Sequence, residues 1–319
     1  MSAAPDDSAH MRRAHARAYA QRMNRVLDHV DANLDVPLDL PTLAGIANFS
    51  AFHFHRLFAA WMGETIGDYL RRRRLETAAV RLAANPVPSV LDVALGVGFG
   101  SGEAFARAFK LHFGVTPSAW RAGSPQRRAQ ALAAFDRRRQ RNPDQAGDAA
   151  LEDDAAFNDL ETCMDVRIDT LPAARVAYLR HIGPYGQAVN GFWLETVLPW
   201  LIANGLETSP RYGIGLDDPF VTAPDKCRYD ACVAVPDDFV ARSPAGVQVI
   251  AGGRCAVADF EGTVADLELT YAALLRDWLP ASGYQPDNRP MVEFYPADGR
   301  YDPEKGTFQC EIRLALTPA

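Results

Sequence analysis

Two histidines and an arginine lie within one short stretch, SAFHFHRLF, which begins at Ser50. Imidazoles such as His53 and His55 are common metal ligands, whereas a guanidinium such as Arg56 donates hydrogen bonds to anions. A zinc site needs three or four ligands, and no Cys, Asp or Glu follows at ligand spacing on this segment. We therefore expect no metal here and predict a helix with a polar and aromatic outer face.

A second candidate is the glutamate in the segment PMVEFYP. Strand alternation places Met291, Glu293 and Tyr295 on one face, with Val292 and Phe294 on the other. A carboxylate in an apolar strand is costly if it is buried without a partner. One interpretation is an exposed or arginine-paired carboxylate. The other is a buried anion that awaits a cationic ligand, with aromatic walls adding cation–π attraction.

Composition indicates a water-soluble chain of two or three domains, since its 319 residues are 48% hydrophobic and 23% charged. The N-terminus has no apolar stretch after its arginines, and no run of about 18 apolar residues occurs. We therefore expect a cytoplasmic protein without a membrane span.

Five cysteines without CxxC spacing indicate reduced, mostly buried thiols. They are Cys163, Cys227, Cys232, Cys255 and Cys310.

The charge is divided unevenly along the chain. Residues 1–150 contain 20 Lys and Arg against 14 Asp and Glu, while residues 151–319 contain 13 against 26. A basic half joined to an acidic half indicates that only the first half meets a polyanion.

The segments around SAFHFHRLF predict two short helices joined by a tight turn. Ser50 is a good N-cap. Phe54, Leu57, Phe58 and Trp61 follow at the spacing of one apolar helical stripe. The preceding segment, DLPTLAGIANF, has its own inward-facing leucines and alanines. Two such helices, the second with a polar and aromatic outer face, form a helix-turn-helix.

This unit occurs twice. Residues 89–121 match it at an offset of 50 positions, which becomes 51 after one extra turn residue, Gly100. Between the units, TIGDYLRRRRLETAAVRLAAN predicts one connecting helix. Its four consecutive arginines, Arg71–Arg74, either form a solvated face or include some that reach phosphate.

The segments LAGIANFSAFHFHRLF and VALGVGFGSGEAFARAFKLHFGVTPSAWR resemble the DNA-binding domain of AraC/XylS-type transcription regulators, over residues 22–122. The resemblance implies two helix-turn-helix units on a shared connecting helix, with the second helix of each in successive major grooves of double-stranded DNA. We also expect RNA polymerase as a partner. Because one chain holds both reading units, we expect a monomer or a weak dimer.

The resemblance assigns base-facing residues by matched position. These are Phe52, His55 and Arg56 in the first unit, and Gly102, Glu103 and Arg107 in the second. Arginine suits guanine O6 and N7, and an aromatic ring can contact a thymine methyl. Gly102 and Ala104 offer little chemistry, so we predict that the second unit reads sequence weakly and mainly holds phosphate. His53 is expected to pack or to cap the helix.

The second half contains another duplication. Two strands and a helix are followed by two strands, and the same order then returns. Gly183 pairs with Gly262 at an offset of 79 and Trp200 pairs with Trp278 at 78. Two such units predict one mostly antiparallel sheet with helices to one side.

Residues 162–317 resemble the GyrI-like small-molecule-binding domain of multidrug-responsive regulators, through RHIGPYG and PMVEFYP. Behind an AraC-type domain, this is the Rob-like combination. The resemblance implies a pocket glutamate at Glu293, which favours the buried-anion interpretation. The ligand-binding candidates are Glu293, Tyr295 and Tyr185 in matching motifs, with Trp193 and Tyr271 from inward helical faces.

The expected fold is therefore multidomain, with an all-α double helix-turn-helix domain and an α+β domain of two strand-strand-helix-strand-strand units. The expected boundaries are an N-terminal tail at 1–21, the DNA-binding domain at 22–122, a linker at 123–160 and the small-molecule-binding domain at 161–319. We expect neither a cofactor nor a metal.

The function expected from these features is a DNA-binding transcription regulator, with activation the expected sign, that responds to a small cationic amphipathic ligand. An enzyme is not expected. Two alternatives stay open. The GyrI-like domain could hydrolyse reactive small molecules with Glu293 as general base, or it could inhibit another protein through its acidic surface.

Overall fold

The computed structural model describes residues 7–84, 87–124, 165–287, 289–302 and 304–317. These residues form two compact units, the first from 7–124 with 242–246 and the second from 165–241 with 247–317. The predicted linker lies outside the described residues apart from its first two positions, and Cys163 also lies outside them. No described helix has the length and apolar character needed to cross a membrane.

The first unit is built from helices. They are α1 (Asp7–Ala32), α2 (Leu40–Ile46), α3 (Ala51–Met62), α4 (Ile66–Ala84), α5 (Val90–Leu95), α6 (Gly102–Phe113) and α7 (117–124). The pairs α2/α3 and α5/α6 are the two predicted helix-turn-helix units, and α4 is the predicted connecting helix. The predicted tail ends at residue 21, which lies inside α1. Four residues of α1 enter the core: Met23, Val26, Leu27 and Val30.

The sequence repeat is also a repeat of helix caps. Ser50 and Ser101 are the N-caps of α3 and α6, and each hydroxyl accepts the amide proton of the third helical residue. Each helix ends at a left-handed glycine, Gly63 at φ 67° and Gly114 at φ 76°, where a side chain would be strained. Matched start and stop signals give both helices the same length of 12 residues.

The aromatic core of the first unit is repeated as well. Phe58 contacts Tyr69 edge-on with ring centroids 5.5 Å apart. At the matched positions, Phe109 contacts Trp120 edge-on at 5.8 Å. These contacts fix each second helix against the helix that follows it, α4 or α7.

The apolar stripe of α3 differs from the prediction at one end. Phe54 and Phe58 are fully buried, but Trp61 is 41% exposed and Met62 occupies the core instead. The buried positions follow an i, i+4, i+8 line, because α3 contacts the core along a narrow seam and position i+7 lies at its edge. Trp61, which the spacing assigned to the apolar stripe, therefore lies at the exposed edge of that stripe.

The second unit is one antiparallel sheet. Its strands are β1 (Val166–Leu171), β2 (Ala174–Ile182), β3 (Arg211–Gly215), β4 (Arg228–Ala234), β5 (Gly246–Ile250), β6 (Gly253–Gly262), β7 (Val292–Tyr295), β8 (Tyr301–Asp302) and β9 (Thr307–Ala315). Their order is β1-β6-β9-β7-β3-β4-β2-β5, and β8 pairs with β9. The predicted duplication is confirmed, and the third strands of the two copies, β3 and β7, pair at the centre.

One long helix of each copy packs on the same face of this sheet. Helix α8 runs through Gln187–Phe192, a π-helical turn at Trp193–Val197, and Leu198–Ala203. Helix α9 runs through Val264–Ala273, a π-helical turn at Leu274–Trp278, and Leu279–Ser282.

Each π-helical turn precedes a proline, Pro199 or Pro280. A proline ring clashes with the carbonyl four residues back in an α-helix, and the wider turn relieves that clash. The matched prolines set the repeat at an offset of 81 in this region. Trp278 lies within its π-helical turn and Trp200 after its own, so the predicted pairing of these two tryptophans was wrong.

Candidate DNA-reading surface and buried carboxylate site

The outer face of α3 carries the three residues predicted to face bases. Phe52 is 68% exposed, and His55 and Arg56 are also exposed. The Arg56 guanidinium lies 5.8 Å from the centre of the Phe52 ring, so a planar cation and an aromatic ring stand side by side. The ring of His53 lies 3.0 Å from the Ser50 hydroxyl, which is the expected capping position.

The outer face of α6 is different in character. Glu103 and Arg107 are exposed, but Gly102 is half-buried, and a Cβ there would lie 3.3 Å from the Leu91 side chain on α5. Glycine at this position therefore allows close packing of the two helices. Lys110 is exposed three residues after Arg107, on the same side of α6. The sequence prediction omitted Lys110, although its helical spacing was sufficient to find it.

Two of the four consecutive arginines are held in ion pairs. Arg72 contacts Glu64 at 2.7 Å and Glu76 at 3.0 Å. Arg73 contacts Glu76 at 3.2 Å and Asp31 at 3.1 Å, which ties α4 to α1. These guanidinium groups connect helices of the first unit.

The outer members of the arginine run differ from each other. The Arg74 guanidinium donates to the carbonyl oxygens of Leu34 and Val36, both at 2.9 Å. Arg71 is exposed. Neither of the two interpretations left open, a solvated face or phosphate contact, describes Arg72–Arg74, which are bonded within the unit. Arg71 remains as a phosphate-contact candidate.

Glu293 is the centre of a hydrogen-bonded cluster in the second unit. Only 8% of the residue is exposed. Its Oε2 accepts from the hydroxyls of Tyr229 and Tyr295, each at 2.8 Å, and its Oε1 accepts from Tyr271 at 3.0 Å. The Trp193 indole N–H donates to the Tyr229 hydroxyl at 3.2 Å. The strand alternation predicted for Glu293 and Tyr295 is confirmed by their direct contact.

Gly213 makes the room that this carboxylate occupies. It pairs with Glu293 across β3 and β7. A Cβ at Gly213 would overlap the Tyr229 hydroxyl and Glu293 Oε2, and it would lie 2.8 Å from Tyr229 Cζ. The strands β3 and β7 are matching strands of the two copies. One copy therefore contributes the carboxylate, and the other contributes a glycine that leaves space for it.

The negative charge of Glu293 is compensated by neutral donors. No ion pair to Glu293 is found among the residues that the structure describes. Burial, and then the charge of Glu293, raises the pKa of Tyr229, Tyr271 and Tyr295 well above its usual range. The phenols therefore stay protonated and keep donating. Three donors leave about one of the four lone-pair directions of the carboxylate for a further contact.

The predicted ligand-binding residues are only partly brought together. Tyr271 and Tyr295 contact Glu293 directly, and Trp193 approaches it through Tyr229, with its ring 6.0 Å from that of Tyr295. The Tyr185 hydroxyl instead donates to backbone carbonyls of Asp217 and Arg228, at 3.0 and 2.8 Å. Its ring reaches the cluster only through an edge-on contact with Tyr229 at 6.4 Å.

Tyr229 and Gly213 were missed by sequence reasoning. Tyr229 lies in RYDACVAV and Gly213 in RYGIGL, both of which were predicted as strands. Neither stretch has a motif that marks the residue as part of a site. Their role depends on strand order, which places β3 between β4 and β7.

Two known families match separate parts of the chain. A helix-turn-helix domain family matches residues 43–123. The family of GyrI-like small-molecule binding domains matches residues 164–317.

Individual relatives match about a third of the chain. The regulatory protein SoxS of Salmonella typhimurium is 32% identical over 104 residues, which are 33% of this chain and 96% of SoxS. The transcriptional regulator Rob of the same organism is 42% identical over 97 residues, 30% of this chain and 32% of Rob. The match thus spans about a third of the length of Rob.

A solved structure is also similar. The DNA-binding domain of AdpA in complex with a target DNA is 30% identical, covers 34% of this chain and 98% of that chain, and gives a TM-score of 0.32.

Proposed function

The chain belongs to the AraC/XylS-type transcription regulators, and from that premise we propose that it activates transcription when a small cationic amphipathic ligand binds at Glu293. It carries a helix-turn-helix DNA-binding domain and a GyrI-like small-molecule binding domain. The single observation that carries the proposal is the buried Glu293 carboxylate, which is bonded to three phenols with no ion-pair partner in the described residues.

A ligand with a cation on an aromatic body fits this site best. The cation supplies the opposite charge that a buried carboxylate lacks. Tyr271 and Tyr295 direct their hydroxyls at the carboxylate, and the Trp193 ring lies 6.0 Å from that of Tyr295. A cation over one of these aromatic faces would gain about 0.5–2 kcal/mol. A neutral ligand of the same shape gains only the apolar contact.

The test compares phenyltrimethylammonium with its uncharged isostere, tert-butylbenzene, by isothermal titration calorimetry. We expect the wild-type protein to bind the cation at least tenfold more tightly, and Glu293→Gln to lose that preference. Glu195→Gln is the matched control, because Glu195 is an exposed glutamate on α8. Equal binding of the two compounds by the wild-type protein would refute the proposal.

For DNA, we propose that α3 reads bases through Phe52, His55 and Arg56. On α6, we propose Glu103 and Arg107 as the weaker readers, while Gly102 permits the close packing of α6 on α5. Arg56→Ala should lose about 1–3 kcal/mol of specific binding. Selection from randomised DNA should give more information in the half-site of α3 than in that of α6. Equal information in both half-sites contradicts this assignment.

The proposed partners are one duplex DNA site per monomer, or per weak dimer, and RNA polymerase. Transcription from a selected site with purified polymerase tests the sign of regulation. Addition of protein and cation should raise transcript yield, whereas a fall in yield identifies a repressor. We propose a domain order with a DNA-binding part near 22–122 and a ligand-binding part near 161–319.

Hydrolysis at Glu293 is not favoured by this geometry. A general base needs a lone pair directed at a substrate proton or water, and the two oxygens of Glu293 already accept three hydrogen bonds. The titration can be repeated with a reactive test compound, and the mixtures can then be analysed for its products. Turnover that is lost in Glu293→Gln would support the enzymatic alternative.

A further inference from the structure

A second carboxylate, Glu268, lies on the helix that supplies Tyr271 to the Glu293 cluster. It is half-buried on α9, three residues before Tyr271, whose hydroxyl donates to Glu293 at 3.0 Å. Residues three apart on a helix are neighbours on one face. Within the described part of the chain, the Glu268 carboxylate makes no hydrogen bond or ion pair. Burial alone raises its pKa.

The other copy of the repeat approaches Glu268 from across the site. A Cβ at Gly186 would lie 3.4 Å from Glu268 Oε1, so Gly186 lies directly beside this carboxylate and places no side chain against it. Gly186 follows Tyr185, whose ring meets Tyr229 edge-on at 6.4 Å, and Tyr229 donates to Glu293. Glu268 therefore has two aromatic neighbours along the chain that lead to Glu293: Tyr271, one helical turn away, and Tyr185, next to Gly186.

We propose that Glu268 is a second anionic contact for the ligand, so that the site selects an elongated aromatic dication with one cationic group at each end. This inference rests on the proposed function, because Glu293 is taken to hold the first cation. A partly buried carboxylate without a partner costs free energy, and a second cation supplies that partner. The aromatic side chains between the two carboxylates match an aromatic body between the two cations.

The experiment uses the full-length protein and amidines of increasing length. One aryl mono-amidine is compared with bis-amidines whose two aryl amidines are joined by alkoxy chains of different lengths. We expect an optimum chain length at which the bis-amidine binds at least tenfold more tightly than the mono-amidine, which exceeds the twofold statistical gain of two equivalent ends. Glu268→Gln should remove this advantage and leave mono-amidine affinity unchanged. Glu195→Gln should behave as wild type.

The outcomes separate the two proposals. If no chain length gives the advantage, or if the advantage persists in Glu268→Gln, the role of Glu268 is refuted while the role of Glu293 stands. If Glu293→Gln binds the mono-amidine as tightly as wild type does, the proposed function is refuted. An advantage that depends on Glu268, together with mono-amidine binding that depends on Glu293, supports both.

Discussion

The substitution Gly213→Ala tests whether the Glu293 cluster depends on an absent side chain. The added methyl group would overlap the Tyr229 hydroxyl and Glu293 Oε2. Neither group can retreat easily, because they are hydrogen-bonded to each other at 2.8 Å and the cluster is buried between β7 and α9. The methyl group must therefore displace the carboxylate or the phenol.

Two costs set the magnitude. Overpacking a well-packed interior costs about 1–3 kcal/mol. Separating a phenol from a buried carboxylate costs about 1.5–3 kcal/mol, because the hydrogen bond involves a charged group. Together they predict a loss of about 2.5–6 kcal/mol of unfolding free energy, a large part of the stability of a typical domain.

Gly215→Ala is the matched control on the same strand. A Cβ there would lie 3.6 Å from the Tyr185 hydroxyl, which is ordinary contact. This variant should keep its stability or gain about 0.4–1 kcal/mol, because alanine restricts the unfolded chain. Urea denaturation, with hydrogen–deuterium exchange of β3 and β7 to report on the second unit alone, measures both variants. Similar stabilities of the two variants would refute the role assigned to Gly213.

Three further predictions concern single side chains. Arg73→Ala should destabilise the first unit by about 1.5–3 kcal/mol, because the buried Glu76 loses one charged hydrogen bond and keeps Arg72. Arg71→Ala should change stability by less than about 0.5 kcal/mol, and thermal unfolding of both variants distinguishes them. Tyr295→Phe should cost about 1–3 kcal/mol through one lost donor to Glu293, while the exposed Tyr301→Phe should be neutral, as measured in urea. Glu268→Gln should raise the unfolding midpoint at pH 7, because a raised folded-state pKa makes the ionised glutamate destabilising above its unfolded pKa of about 4.3. That gain should vanish as the pH falls below about 4, and a gain that does not change with pH contradicts the cause assigned to it.

Most helices of the first unit could be predicted from the sequence, because the residues that specify them act locally. The N-cap serines, the left-handed glycines Gly63 and Gly114 and the aromatic stripes act within a few residues of themselves. Both copies of the repeat retain these residues. Their offset of 50 to 51 positions therefore already implied two equal helix-turn-helix units. Trp61 is more exposed than its place in the apolar stripe implies. Helical periodicity specifies which face of a helix is apolar, but not how much of that face the rest of the domain buries.

The four arginines show the limit of this kind of inference. Their spacing on α4 was known from the sequence, but the acids that pair with Arg72 and Arg73 come partly from α1 and from Glu64, between α3 and α4. A charge run looks alike whether it faces solvent, phosphate or buried glutamates. Only the packing of the helices distinguished these cases.

By itself, the sequence determined the two domain types, the duplication within each, and the side of β7 on which Glu293 and Tyr295 lie. These features depend on periodicity and on capping residues, which operate along the chain. The tertiary structure decided the surroundings of Glu293, because Tyr229, Tyr271 and Gly213 come from three other elements. Their meeting depends on strand order and cross-strand register, which bring together positions far apart in sequence and which no local pattern encodes.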